Sequence, residues 1–137
     1  MELTYVPYEE LERIRKLNCS NTERTQLFAT LSRINTLYMI MQAGSGHIGS
    51  SFSAMDIVSW LYLNEMKLGD DPDEHGDVYF SSKGHDAPGY YSVLLGLGRL
   101  EFSQIHELRR LNGLPGHPDV ITPGIQTNTG SLGTGIS

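Results

Sequence analysis

Residues Asp77 to Tyr91 read DVYFSSKGHDAPGYY, and the change of character along this stretch decides the fold. Asp77 to Ser81 (DVYFS) gathers valine, tyrosine and phenylalanine and predicts a short strand, the one strand that the patterning supports. A polar segment bounded by glycine follows, and a helix is predicted over Gly89 to Leu97. Strand, turn and helix in that order put SSKGHDAPG at the carboxyl edge of an open α/β sheet, where ligands dock. Ser81, Ser82, Lys83 and the backbone N–H groups there suit an anion, and His85 is placed to hydrogen-bond a phosphoryl oxygen. The same residues also make an ordinary strand-to-helix turn, so the segment alone does not assign a function.

Upstream, the chain is helical with clear punctuation. After Pro7, Tyr8 to Leu17 sets Leu11, Ile14 and Leu17 on one stripe. Ser20 and Glu23 form an S-x-x-E capping box, behind which Leu27, Phe28, Leu31, Ile34, Leu37, Tyr38 and Met41 recur at helical spacing until Gly44. Ser53 and Asp56 repeat the start signal for a helix running to Gly69. Its apolar residues cover nearly the whole circumference and predict burial between layers. Asp70 to Gly76 is an acidic turn. Downstream, another helix is predicted from about Ser103 to Leu111, and from Asn112 onward Gly, Pro, Thr and Asn stand at turn density. A loop of that length is functional or disordered as a rule. One strand and an incipient helix at TGIS do not complete an α/β domain, so the expected fold class is α/β, truncated so that helices dominate.

Composition sets outer limits. The 137 residues suffice for about one domain with a modest core. Ten Lys and Arg against sixteen Asp and Glu give a net charge of -6, with no basic stripe, which argues against nucleic acid as a partner. Ile57 to Leu63, the longest mostly apolar stretch, is far too short for a membrane span. The single Cys19 cannot form an internal disulfide, and MELTYVPYEE lacks a basic start and an apolar core, so a reducing, cytoplasmic setting is the simplest reading.

Three histidines lie in breaks between elements and next to glycine: His47 in AGSGHIGSSFS, His85 in SSKGHDAP and His117 in GLPGHPDV. Imidazole exchanges protons near neutral pH, and glycine lets a backbone approach a ligand closely. His106, inside the helix predicted from about Ser103 to Leu111, reads as a solvated surface group, and His75 as a turn residue. The three glycine-flanked histidines are dozens of residues apart and lack the short spacings of zinc motifs, so they are not read as metal ligands. GSLGTG, from Gly130, is no dinucleotide fingerprint on its own.

In combination the motifs carry a resemblance. AGSGHIGSSFSAMDIV, DVYFSSKGHDAPGYY and LPGHPDVITPGIQTNTGSLGTGIS, in this order over about Thr22 to Ser137, resemble the opening part of transketolases, and more closely the N-terminal subunit of split transketolases. The resemblance implies that residues 1–137 are the N-terminal portion of a single thiamine-diphosphate-binding domain, a parallel sheet flanked by helices, incomplete at the C-terminus. It implies transfer of a two-carbon ketol unit between sugar phosphates, with thiamine diphosphate as cofactor. By the family pattern His47 and His117 contact substrate hydroxyls and assist proton transfer, and are the catalytic candidates. His85 touches the cofactor diphosphate, and Gly130, Ser131 and Leu132 form a cofactor-binding loop.

Ile48 stands where the family usually has proline. The family's Mg²⁺ motif, Gly-Asp-Gly with a later Asn, is expected beyond this chain, as is the pyrimidine-binding domain with its glutamate. The implied partners are a second copy or a complementary C-terminal polypeptide, and the chain alone is expected not to catalyse ketol transfer. Two other readings stay open. One is a non-enzymatic helical assembly module that retains the motifs, and the other is a small phosphate-binding hydrolase.

Overall fold

The computed structural model describes residues 2–70 and 76–130. Helix α1 (Tyr8–Arg15) starts after Pro7, has Glu9 and Glu10 in its first turn and Arg13 and Arg15 in its last, and buries Leu11 and Ile14. These charges complement the helix dipole. Helix α2 (Asn21–Ala43) is set by the expected box: Glu23 N–H donates to Ser20 Oγ (3.2 Å), and Ser20 N–H donates to Glu23 Oε2 (3.1 Å). It stops at Gly44, whose φ of 66° is the left-handed conformation that glycine adopts without steric cost.

Helix α3 (Ile48–Trp60) begins earlier than the Ser53–Asp56 signal, with His47 at its N-cap. The two residues have other work inside the helix. Ser53 Oγ donates back to Ser50 O (3.1 Å), and Asp56 is claimed by Arg33 of α2 through an ion pair of 2.5 Å. A π-helical turn (Leu61–Glu65) continues α3, and the chain leaves it at Met66 instead of Gly69.

The helix buried between layers is α4 (Ala87–Gly96), not α3. Every residue of α4 is buried, and its sequence APGYYSVLLG carries no charge, so every side can face protein. It packs against α1, α2 and α3, and Ser92 Oγ fastens it to α2 by donating to Ser32 O (2.7 Å). In α3, by contrast, Met55 and Val58 enter the core while Ile57 is 65% exposed.

Two expectations change downstream. Among the described residues there is no strand. Asp77 to Ser81 is held at its ends instead, by Asp77 N–H donating to Lys67 O (2.9 Å) and Gly130 N–H donating to Ser81 O (3.2 Å). Val78 and Phe80 stay exposed, because a β-favouring sequence forms a strand only where a neighbouring chain completes the ladder. The expected helix over Ser103–Leu111 is also absent. A 3₁₀ turn (Phe102–His106) leads to a reversal in which Arg109 N–H donates to Leu114 O (2.7 Å) and Leu114 N–H to Glu107 O (2.9 Å), with Leu108 and Leu114 buried. Arg109 (φ 57°) and Asn112 (φ 62°) are left-handed, which no α-helix interior accommodates. No helix among the described residues is long and apolar enough to cross a membrane.

Asn35, wholly buried in α2, clamps the N-terminal segment by accepting from Val6 N–H (2.7 Å) and donating to Val6 O (3.0 Å). Asn35→Ala strips both backbone groups of their partner. The expected cost is about 1–3 kcal/mol, read as a lower urea midpoint with an unchanged m-value.

Candidate functional site

The site is assembled from loops at the ends of α3 and α4. His47 is exposed at the N-cap of α3, where its carbonyl accepts from Ser51 N–H (3.2 Å). His85 is half-buried in a 3₁₀ turn (Gly84–Asp86) that leads directly into α4. Ser51 links the two helix starts: its hydroxyl oxygen accepts from Gly89 N–H (3.3 Å) and lies 3.5 Å from Asp86 O, as a donor. The imidazoles of His47 and His85 meet edge to face, with centroids 5.1 Å apart and planes at 68°.

His117 arrives from the long loop and packs on Gly84. A Cβ at Gly84 would stand 2.6 Å from His117 Nδ1 and 2.7 Å from Gly130 O, so only glycine lets the three segments close. Gly84 N–H donates to Gly130 O (2.6 Å), and the His117 loop is anchored from below by the buried Tyr91, whose hydroxyl donates to Pro115 O (2.8 Å). His47, His85, His117 and Gly130 thus belong to one cluster. Ser131 and Leu132 of the expected loop, and His75, lie outside the described residues. His106 stands apart: it is exposed as expected, yet pinned by a 2.8 Å hydrogen bond between its Nδ1 and Tyr38 Oη and by edge contacts with Tyr5 and Tyr38.

The reading of the sequence passed over Asp86. Only 3% exposed, it accepts from Ser81 Oγ (2.9 Å) on Oδ2, while Oδ1 has no partner among the described residues. Burial pushes its carboxyl above the ordinary value of 3.8, against the opposing pull of the Ser81 hydrogen bond and of the charges on Lys83 and His85. Nearby Tyr79 is pushed up to about 12, first by burial and then by the charge of Asp86. The available signal was an acidic residue at the start of a helix that is otherwise uncharged.

The exposed chemistry of the cluster is that of donors: three imidazoles and the half-buried Lys83, in a chain of net charge -6. Such a set fits an oxygen-rich anion such as a diphosphate. Among the described residues no group of His, Cys, Asp or Glu is arranged to hold a metal ion. A cavity of about 610 Å³ lies elsewhere, lined by Arg99, Glu101 and Asp119 among others. None of the three clustered histidines borders it. The imidazole cluster, and not this hollow, is therefore the candidate site, because among the described residues it is where three glycine-flanked imidazoles gather.

The sequence profile described as "Transketolase, thiamine diphosphate binding domain" matches residues 24–137. The chain belongs to the transketolase family. An apulose-4-phosphate transketolase subunit of Actinobacillus succinogenes is 33% identical over 129 residues, covering 88% of this chain and 46% of the relative. The protein of the same name from Phocaeicola vulgatus is 30% identical over 118 residues, covering 84% and 42%. Human transketolase is 36% identical over 107 residues, covering 76% and 17%. The chain thus spans less than half the length of these relatives. All three clustered histidines, and Gly130, fall within the matched transketolase domain.

Gly84→Ala forces His117 and the Gly130 strap of this transketolase-family site apart, and overpacking of this kind costs about 1–3 kcal/mol. The loss is measured by thermal unfolding. Asp86→Asn tests the buried carboxyl. With a raised pKa the folded state holds its proton more tightly than the unfolded state, so this group's contribution to stability is present below the ordinary value of 3.8 and is lost as pH rises through the raised value. The variant is expected to gain stability relative to the parent as pH climbs from about 4 to 7, followed by denaturant titrations across that range.

Proposed function

We propose that residues 1–137 form the N-terminal portion of a single thiamine-diphosphate-binding domain in a transketolase-like enzyme that moves a two-carbon ketol unit from a ketose phosphate to an aldose phosphate. The observation that carries this reading is the convergence of three imidazoles on a strap of glycine backbone. Family membership gives that convergence its chemistry. Two relatives are named as single subunits of a transketolase, which supports completion of the site by a complementary polypeptide; a second copy of the chain is the other source of completing groups. The working setting is the cytoplasm, in keeping with the lone Cys19.

Thiamine diphosphate, when bound, supplies the carbanion chemistry that cleaves and rebuilds the ketol bond. This chain contributes binding and proton management. His85 and the backbone at Gly130, Ser131 and Leu132 hold the diphosphate, with Lys83 adding positive charge beside it. Mg²⁺, which takes oxygen ligands, draws them from residues outside this chain. His47 and His117 face the sugar. His117 turns Nδ1 to Gly84, which leaves Nε2, when protonated, to donate to a substrate carbonyl oxygen and, when unprotonated, to accept from a substrate hydroxyl. His47, exposed at the N-cap of α3 and in edge contact with His85, serves a neighbouring oxygen of the same substrate.

A second reading draws on the exposed Leu27, Ile34, Leu37 and Met41 along α2, an apolar stripe that suits a helical assembly module. Both readings are tested in one experiment, with the chain combined with its completing polypeptide, thiamine diphosphate and Mg²⁺. His47→Ala and His117→Ala are each expected to lower kcat/KM for ketol transfer by about 10²–10⁴-fold, and His85→Ala to weaken thiamine diphosphate binding by calorimetry, with His106→Ala near the parent in both. An assembly that forms normally but neither transfers ketol units nor binds the cofactor supports the assembly module and sinks the enzyme.

A further inference from the structure

We propose that Arg109 is a positioning residue that ties the His47 loop to the His117 loop and so sets the spacing of the two imidazoles across the site. The inference rests on the reading of those histidines as the sugar-facing pair, and it deepens that reading.

Three observations carry it. First, the Arg109 guanidinium hydrogen-bonds the loop before His47 and lies against the backbone of the residue before His117. Its NH1 donates to Ser45 Oγ (2.5 Å), two positions before His47, and its Nε lies 3.2 Å from where a Cβ would stand on Gly116, the residue before His117. Second, the reach is made from a fixed base. The Arg109 backbone is locked into the reversal by its N–H bond to Leu114 O (2.7 Å), and Leu108 and Leu114 on either side are buried. Third, Arg109 is left-handed (φ 57°), a conformation uncommon for a residue with a side chain and held here by the reversal around it. Among the described residues no carboxylate forms an ion pair with it; those found join Glu10 to Arg13, Glu12 to Lys16 and Asp56 to Arg33.

The chemistry suits the task. A planar guanidinium can donate to one loop from its edge while it packs against the backbone of another, whereas an ammonium is a single point on a flexible stem. Among the described residues the site has no other cross-brace of this kind. Ser51 joins the His47 helix to the His85 turn, and Gly84 joins the His85 turn to the His117 loop, but the direct link from the His47 loop to the His117 loop runs through Arg109.

The test reads the imidazoles directly, in the 137-residue chain carrying ¹³C-labelled histidine. In Arg109→Met and in Ser45→Ala, the ring Cε1–Hε1 signals of both His47 and His117 are expected to move, while that of His106 stays in place. The double variant is expected to move them no further than Arg109→Met alone, and Arg109→Lys is expected not to restore the parent positions. In the completed assembly, Arg109→Met is expected to lower kcat/KM by about 10–100-fold, the scale of a small misplacement of reacting groups. An unmoved His47 signal in Arg109→Met, rescue by lysine, or equal movement of His106 would overturn the proposal. The spectra do not depend on turnover. Absence of ketol transfer in the parent assembly therefore counts against the enzymatic reading alone, whereas unmoved spectra count against the brace alone.

Discussion

The backbone of Gly84 touches the carbonyl of Gly130 and the ring of His117 at distances that leave no room for a methyl group, and the arrangement of the site follows from that closeness. Because Gly84 N–H also donates to Gly130 O, the same residue supplies both the space and the attachment. His85 comes next in sequence to Gly84, against which His117 packs, and its edge contact with His47 brings in the start of α3. Segments far apart in the chain thus meet around one residue without a side chain. Local polar links join them there, over a core that takes in Leu114 and Ile125 of the long loop.

The apolar core serves this arrangement from underneath. Helix α4 is buried throughout, which fixes its N-terminal turn, and with it His85, relative to α2 and α3. Tyr91 extends the influence of α4 to the His117 loop through Pro115 O. Asp86 is the cost of placing a polar turn at the head of an uncharged helix: its carboxyl is out of water, and one of its oxygens lacks a partner among the described residues. Isolated buried polar atoms of this kind collect at functional sites, where local stability is sacrificed for arrangement.

Much of the helical frame was legible because its signals are local. The Ser20–Glu23 box and Gly44 mark the ends of α2 directly, and the stripe of Leu11 and Ile14 identifies the buried side of α1. Ser53 and Asp56 misled because the same residue types that cap a helix also serve inside one when a partner such as Arg33 of α2 claims the carboxylate, and that partner is distant in sequence. The segment after Ser103 has helix-compatible residues, yet the burial of Leu108 and Leu114 bends it back on itself, a tertiary demand that periodicity does not encode. At the site, the glycine-flanked histidines stood out as motifs. Their convergence depends on the contact at Gly84 and on bonds such as Arg109 to Ser45, which join positions with no shared local pattern.

The stretch from Val78 to Phe80 has a broader consequence. Its residues favour β-structure, yet Val78 and Phe80 face solvent and no neighbouring strand lies beside them among the described residues. Such a segment is adhesive toward any extended peptide, including the same stretch of another molecule. At high concentration such pairing between copies competes with folding, so this short exposed stretch is a point at which the protein is open to aggregation.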